Sequence, residues 1–432
     1  MSRIGIVAEF NPFHTGHKYI IDYAKNVLGA DSVIIALGNE FTQRGGIAII
    51  DRYSRAKAAV DAGADLVVGM PAASSSGADL VIGMPVAASC ASAEIFAECG
   101  VCLLAACGCD KIACGFEGGD ISLFKKTAKV LLEEPAAFKD VLQADLKSGM
   151  SFPSAREDAL KAYFNICSAS VPAKDTDASA ISFDDAISEI VSSPNNILAV
   201  EYEKAILRHH FDIELIPVKR QGTSYNDALS DGEFVSATYI RRMIYDGNLD
   251  AVKKHLTAFS YQALKDSRGK NLLLCDDDLS LPLHLALLSH DNYSEFSDVS
   301  EELSDRIKRL LPQFTGFTQF TMLLKNKSLT ASRIRRALIH ILLGIRDKDI
   351  FSLREKDFVP YLWILDASPD GLSMLKGIKK SCSAPLFFSV NELPNGFTDN
   401  RLDMKALDLV RALRIEKSGL PIPNERQRKI TF

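Results

Sequence analysis

Two histidines three apart, in His14-Thr15-Gly16-His17, stand where the chain passes from one regular element into another. Imidazoles can donate hydrogen bonds to phosphate oxygens, and a glycine between them lets a ligand approach the backbone closely. Before them, Ile4 to Ala8 is an apolar run with the length of a buried strand. Asn11-Pro12 ends the run, because a residue before proline is pushed away from helical angles. After them, Lys18-Tyr19-Ile20-Ile21-Asp22-Tyr23-Ala24-Lys25 has the apolar spacing of a helix packed on a sheet. Free N–H groups and the helix dipole both favour an anion at such a corner, so it can hold a phosphate. The same histidines could instead merely cap the helix.

Further polar groups recur at the ends of predicted strands. Asp31 to Leu37 reads as a second buried strand, which with the first strand and helix makes the βαβ opening of a parallel sheet. It runs into a glycine-rich loop, Gly38-Asn39-Glu40-Phe41-Thr42-Gln43-Arg44-Gly45-Gly46, where Arg44 could reach a phosphate or a carboxylate. Asp51 to Ala62 reads as a helix carrying Arg52, Arg55 and Lys57. Gly63 to Pro71 then recurs fourteen residues later as Gly77 to Pro85, a tandem duplication of which one copy suffices for the third strand. A helix from Ser92 to Ala106, a strand from Lys111 to Cys114 and a ligand-side loop from Gly115 to Asp120 follow. Ser168 to Asp185 reads as a surface loop. Ser193-Pro194-Asn195-Asn196 precedes a helix from Ile197 to His209, and a strand from Ile213 to Val218 leads into Lys219-Arg220. Glu233 to Arg242 reads as a short strand turning into a helix capped by Ser236 or Thr238, a second phosphate-binding corner.

The remainder is mostly helical to about residue 345. There Ser332-Arg333-Ile334-Arg335-Arg336 leads into an apolar helix from Ala337 to Gly344, its arginines able to grip an RNA backbone or simply to face solvent. Val359 to Leu365 and Ala384 to Val390 read as strands of a small C-terminal α+β part. The fold class is therefore α/β: a Rossmann-like parallel-sheet domain over residues 1–248, then a mostly helical and small α+β part over 249–432.

Composition fits an ordinary globular chain, 47% hydrophobic and 24% charged over 432 residues. No apolar run reaches the ~18 residues of a membrane helix and no signal peptide opens the chain, so a cytoplasmic protein is expected. The net charge of −5 conceals an asymmetry: residues 301–432 carry 23 Lys and Arg against 15 Asp and Glu. A basic C-terminal portion on an acidic body suggests a polyanion partner. Cys90, Cys99, Cys102, Cys107, Cys109 and Cys114 lie close together, but most fall on an apolar helix with no histidine nearby in sequence. They read as small hydrophobes, and no zinc site is expected.

The H-x-G-H stretch resembles the signature of the nucleotidylyltransferase superfamily. The ordered set of motifs is similar to one family in particular, the tRNA(Met) cytidine acetate ligases. The set runs from Val7-Ala8-Glu9-Phe10-Asn11-Pro12-Phe13-His14-Thr15-Gly16-His17 through Gly38-Asn39 with Gln43-Arg44-Gly45, Gly63-Ala64-Asp65-Leu66-Val67 and Gly115-Phe116-Glu117. It continues with Ser193-Pro194-Asn195-Asn196-Ile197-Leu198, Lys219-Arg220, Ser236-Ala237-Thr238 with Arg241, and Ser332 to Arg336. The resemblance implies a nucleotidylyltransferase domain in which acetate and ATP give acetyl-adenylate, and transfer of the acetyl group to the N4 amine of the wobble cytidine of elongator tRNA(Met). It assigns His14 and His17 to stabilising the α-phosphate. It assigns ATP contacts to Val7, Ala8, Glu9, Phe10, Asn11, Pro12, Phe13, His14, Thr15, Gly16, His17, Lys18, Tyr19 and Ile20, and to Gly115, Asn195 and Arg220. Mg²⁺ would travel with the triphosphate. The duplication, the segment around Ser168–Asp185 and the absence of an arginine and glycine after Pro360-Tyr361 depart from the family pattern. An adenylyltransferase for a small phosphorylated acceptor, or a nucleotide- or RNA-binding homologue without turnover, are the other readings.

Overall fold

The structure, a computed structural model, describes residues 2–62, 77–169, 183–219 and 235–428. Its centre is a seven-stranded sheet in the order β5-β4-β1-β2-β3-β6-β7. In chain order the elements used below are β1 (Arg3–Ala8), α1 (Thr15–Asn26), β2 (Ser32–Leu37), α2 (Arg52–Val60), β3 (Leu80–Gly83), α3 (Ala93–Ala106) and β4 (Lys111–Phe116). They continue with α4 (Pro194–Arg208), β5 (Glu214–Lys219), α5 (Ala237–Tyr245), α6 (Ala331–Leu343), β6 (Leu362–Ala367), β7 (Leu386–Phe387) and α7 (Arg401–Ser418).

β1 and β2 pair in parallel from Arg3 opposite Ser32 to Ala8 opposite Leu37. β2 is buried along its whole length, as a central parallel strand covered on both faces must be. Its side chains alternate between two cores. Val33, Ile35 and Leu37 join Ile4, Ile6, Ile21 and Trp363 on one face. Ile34 and Ala36 join Leu80, Ile82, Phe96 and Leu104 on the other. Gly5 in β1 is needed for this layering, since a Cβ there would lie 2.6 Å from a Leu104 methyl.

The parallel βαβ opening and the ligand loops at strand ends are as the sequence indicates, with several boundaries moved. The second copy of the duplicated segment supplies β3, while the first lies in residues 63–76, outside the described residues. β4 runs on through Gly115 and Phe116, so those residues belong to the strand rather than the loop. Ser193 caps α4 by accepting from the Asn196 amide, which puts Pro194, Asn195 and Asn196 in the first helical turn. Ser168 and Ala169 end a helix from Phe152, and a further helix, Phe183–Ser192, begins within the expected loop, of which 170–182 lies outside the described residues. Ser236 leads straight from Val235 into α5, and α6 starts at Ala331 behind a Thr330 cap, a turn and a half earlier than its apolar run.

The C-terminal strands join the first sheet. β6 pairs antiparallel with β3, Leu80 opposite Ala367 and Gly83 opposite Trp363, and β7 follows in parallel. The six clustered cysteines are all buried and reduced, packed as small apolar side chains. Burial pushes the Cys107 and Cys114 thiols up to about 12. Folding does bring a histidine among them, His209 Nε2 lying 3.6 Å from Cys102 Sγ and 3.0 Å from Glu98 Oε1. Among the described residues no helix is long and apolar enough to cross a membrane.

Candidate active site

β1 delivers the chain to a short, tightly held turn. Phe10 adopts a left-handed φ of 50° and the Asn11-Pro12 peptide is cis. Asn11 Oδ1 accepts from the Ile49 amide at 2.9 Å, and its carbonyl accepts from Arg241 Nη1 at 2.7 Å. His14 is the N-cap of α1. Its Nδ1 accepts from the Gly16 amide at 3.1 Å, and His17 Nδ1 accepts from the His14 amide at 3.3 Å. Both histidines therefore do cap the helix, and this is compatible with a second role. An imidazole whose Nδ1 accepts carries its proton on Nε2, which makes Nε2–H a donor on each ring. The rings stack with centroids 3.7 Å apart, so the two donors are presented as a pair.

The opposite wall comes from the loop after β2. Arg55, fully buried on α2, donates to the carbonyls of Glu9, Gly38 and Asn39 at 2.7, 3.0 and 2.8 Å, tying the ends of β1 and β2 together. Asn39 in turn donates to Asp403 Oδ1 on α7 at 2.7 Å. Gln43 gives its amide to Glu9 Oε1 at 2.6 Å. Burial raises the Glu9 carboxyl above the usual range, while the Gln43 amide and Arg44, Arg55 and Arg241 pull it back. Gly45 sits at φ +72° against the backbone of Arg335 and Arg336, where a Cβ would come within 2.4 Å of Arg336 N.

These parts enclose a pocket of about 570 Å³, within the range of small-molecule sites. Two helix N-termini open onto it. One is α1; the other is α5, where Ser236 caps by accepting from the Tyr239 amide and Arg241 Nη2 donates to Thr238 Oγ1. Of the residues expected at a nucleotide site, Val7, Ala8, Glu9, Phe10, Asn11, His14, Gly16, His17, Tyr19, Ile20, Gly115 and Asn195 line it. Pro12, Phe13, Thr15 and Lys18 do not: Phe13 is buried in the core, and Lys18 pairs with Asp22 at 2.6 Å. Arg220 lies outside the described residues. Asn195 donates to Glu117 Oε1 at 2.5 Å, and its neighbour Asn196 locks the loop after β4 by accepting from the Glu117 amide.

The remaining wall joins the arginines of the Ser332–Arg336 run to two residues that carry no signal in the sequence, Tyr245 and Asp276. Tyr245, at the end of α5, fixes its hydroxyl on the Leu274 carbonyl at 2.9 Å. Asp276 accepts from the Ile47 amide at 3.0 Å and from Arg335 Nη2 at 2.5 Å. Arg336 is held by Asp298 at 2.9 Å, so neither of these α6 arginines is simply a solvated side chain.

The HIGH Nucleotidyl Transferase family model matches residues 1–76 and 72–419, breaking inside the duplicated segment. A tRNA(Met) cytidine acetate ligase of Thermoanaerobacter sp. (strain X514) is 33% identical over 94% of this chain and 93% of its own length. One from Clostridium perfringens (strain ATCC 13124) is 33% identical over 95% and 94%. The chain belongs to the tRNA(Met) cytidine acetate ligase family. The fold agrees with this ligase family over nearly the whole length. The apo form I structure of Thermotoga maritima TmcAL superposes with a TM-score of 0.85 at 26% identity, covering 99% of this chain and 98% of that one. The form II structure of the same protein, bound with alpha-thio ATP, gives 0.83 at 25% identity, covering 99% and 97%. The pocket between α1 and α5 is thus the candidate active site of a ligase-family chain, built on the H-x-G-H corner from which the superfamily is recognised.

Proposed function

We propose that this chain activates acetate with ATP and passes the acetyl group to the N4 amine of the wobble cytidine of elongator tRNA(Met), giving N4-acetylcytidine. The observation that carries the reading is the convergence of two helix N-termini, one bearing stacked histidines and the other hydroxyls and Arg241, on a single pocket at the strand ends. In the first step an acetate oxygen attacks the α-phosphorus and pyrophosphate leaves. Nε2–H of His14 and of His17 donates to the phosphate oxygens as charge builds on them, which is electrostatic stabilisation rather than covalent catalysis. Gly115 lets the nucleotide approach β4, Asn195 reads an adenosine edge, and Arg220 pairs with phosphate. Glu9 and Asp276 accept from backbone amides and Arg335, and no group of carboxylates, histidines and cysteines among the described residues is placed to hold a metal ion. Mg²⁺ would accordingly be carried by the triphosphate and water, neutralising phosphate charge, rather than held in a protein cage. Residues 1–248 supply the phosphate-facing corners of the pocket, and the basic 249–432 portion, which completes the same sheet and one pocket wall, holds the tRNA, in a cytoplasmic enzyme.

The test is acetate-dependent ATP–pyrophosphate exchange in the absence of tRNA. His14→Ala and His17→Ala should each lower the exchange rate by about 10²-fold or more. Because both residues also cap α1, His14→Asn separates the roles: asparagine is a good cap and cannot replace the ring donor. Wild-type exchange in His14→Asn would refute the assignment.

A further inference from the structure

The pocket is longer than its two phosphate-facing corners. At its other end stand Tyr245, Asp276, Ser332 and Arg335, all from the C-terminal side of α5 or beyond. None of them is assigned a role in the activation step above. Tyr245 is an exposed residue that lines the pocket, and its hydroxyl donates to the Leu274 carbonyl, so the aromatic side chain is held in place rather than mobile. Asp276 and Arg335 meet edge to edge beside it, over the glycine-rich loop, where a Cβ at Gly46 would lie within 3 Å of both. The carboxylate uses two of its roughly four acceptor positions, on Ile47 N and Arg335. The guanidinium spends one of about five N–H donors on Asp276.

An aromatic face with a carboxylate and a guanidinium at its rim matches the chemistry of one flipped-out pyrimidine. Unstacked bases are held by stacking on aromatic rings, and a carboxylate accepts from the exocyclic amine of cytosine. Cytosine presents the N4 amine next to the N3 and O2 acceptors, which call for a donor such as Arg335 next to an acceptor such as Asp276. Uracil, with a carbonyl at position 4, would set its oxygen against the carboxylate. Ser332, in the first turn of α6, lines the same pocket as Arg335.

We propose that this end of the pocket receives the acceptor cytosine, with Tyr245 as stacking platform, Arg335 donating to O2 or N3, and Asp276 accepting from N4–H. The assignment rests on the acetyl-transfer reading above. As the N4 lone pair attacks the acetyl carbonyl, the N–C bond forms and the acyl C–O bond to the AMP phosphate breaks. AMP leaves, and one of the two N4 protons passes to the Asp276 carboxylate. Asp276 is then the general base of the second step, distinct from the histidine pair that serves the first.

The experiment measures two rates on the full-length chain: acetate-dependent ATP–pyrophosphate exchange without tRNA, and labelled-acetate transfer to an unmodified elongator tRNA(Met) transcript. Asp276→Asn keeps the size of the side chain and one oxygen for Ile47 N. It should lower the ratio of transfer to exchange by about 10²-fold, the usual contribution of a general base, with the change in kcat rather than in KM for tRNA. Tyr245→Ala should raise KM for tRNA about tenfold, and Tyr245→Phe should restore it. If Asp276→Asn lowers exchange and transfer together, the residue only anchors the Gly38–Gly46 loop and the proposal fails. If the ratio stays at the wild-type value, it fails as well. Absence of acetate-dependent exchange in the wild-type chain would instead overturn the activation reading on which the proposal stands.

Discussion

Asp403 is the buried charge most open to a quantitative test. It sits on α7, 2% exposed, and receives three donors: Asn39 Nδ2 and the Val86 amide on Oδ1, at 2.7 and 3.0 Å, and the Tyr361 hydroxyl on Oδ2 at 2.6 Å. Burial outweighs these bonds and the nearby Arg52, and lifts the carboxyl from 3.8 to about 6. A folded-state value above the unfolded one means that the native chain binds the proton more tightly. The stability this group contributes is therefore present below about 3.8 and is lost as pH rises through about 6. The whole loss is worth about 3 kcal/mol, of which rather less than half falls between pH 5 and pH 8. Asp403→Asn removes the titration while keeping the contacts. Its Oδ1 retains both donors, and its amide can donate to a Tyr361 hydroxyl turned to accept. Asp403→Ala instead leaves three buried donors without a partner, at about 1–3 kcal/mol each. Equilibrium urea denaturation at pH 5 and pH 8 should find Asp403→Asn gaining about 1 kcal/mol on the wild type as pH rises, and Asp403→Ala less stable at both. A difference between Asp403→Asn and wild type that is flat with pH would refute the claim that desolvation controls this carboxylate.

Two further outcomes test the loop and the duplication. Gly45→Ala combines a left-handed backbone with a Cβ 2.4 Å from Arg336 N, so it should cost about 2 kcal/mol in stability and raise KM for ATP; wild-type exchange kinetics would contradict it. Deleting residues 63–76 joins Ala62 directly to Gly77, next to which the Ala78 amide already donates to Ala59 O at 2.9 Å. The shortened chain should fold with a Tm within about 3 °C of the parent and retain exchange, since loop length costs little; an unfolded product would show that the first copy is needed.

What was legible in the sequence is what short-range pattern determines. The β1–α1 corner, the β2 strand and the glycine-rich loop follow from apolar periodicity broken by Asn11-Pro12 and Gly38. Helix starts were misplaced where a polar first turn hides the apolar repeat: Pro194-Asn195-Asn196 in α4 and Ala331 to Arg336 in α6. On the far wall of the pocket Arg335 stood out within the basic Ser332–Arg336 run, but Tyr245 and Asp276 left no local trace, because the three belong to separate elements. Helical spacing places Arg52 and Arg55 on α2 but does not say where they face; both are buried, Arg55 with three carbonyls and Arg52 with its guanidinium 3.8 Å from the Trp363 ring centroid. Periodicity identified β6 as a strand but could not choose its partner, since an antiparallel neighbour far along the chain imposes no spacing rule.

That pairing has a consequence for how the molecule is made. On the ribosome, β3 emerges roughly 280 residues before β6, the strand that covers its edge. At about 5–20 residues per second the interval is roughly 15 to 60 s. Through it a nascent chain carries the nucleotide corner already encoded but the apolar strand edge still open, the kind of edge that recruits other chains. Asn39 likewise waits for Asp403, 364 residues further along the chain, before the loop over the pocket is secured. A chain stopped early should be a client for chaperones and proteases rather than half an enzyme.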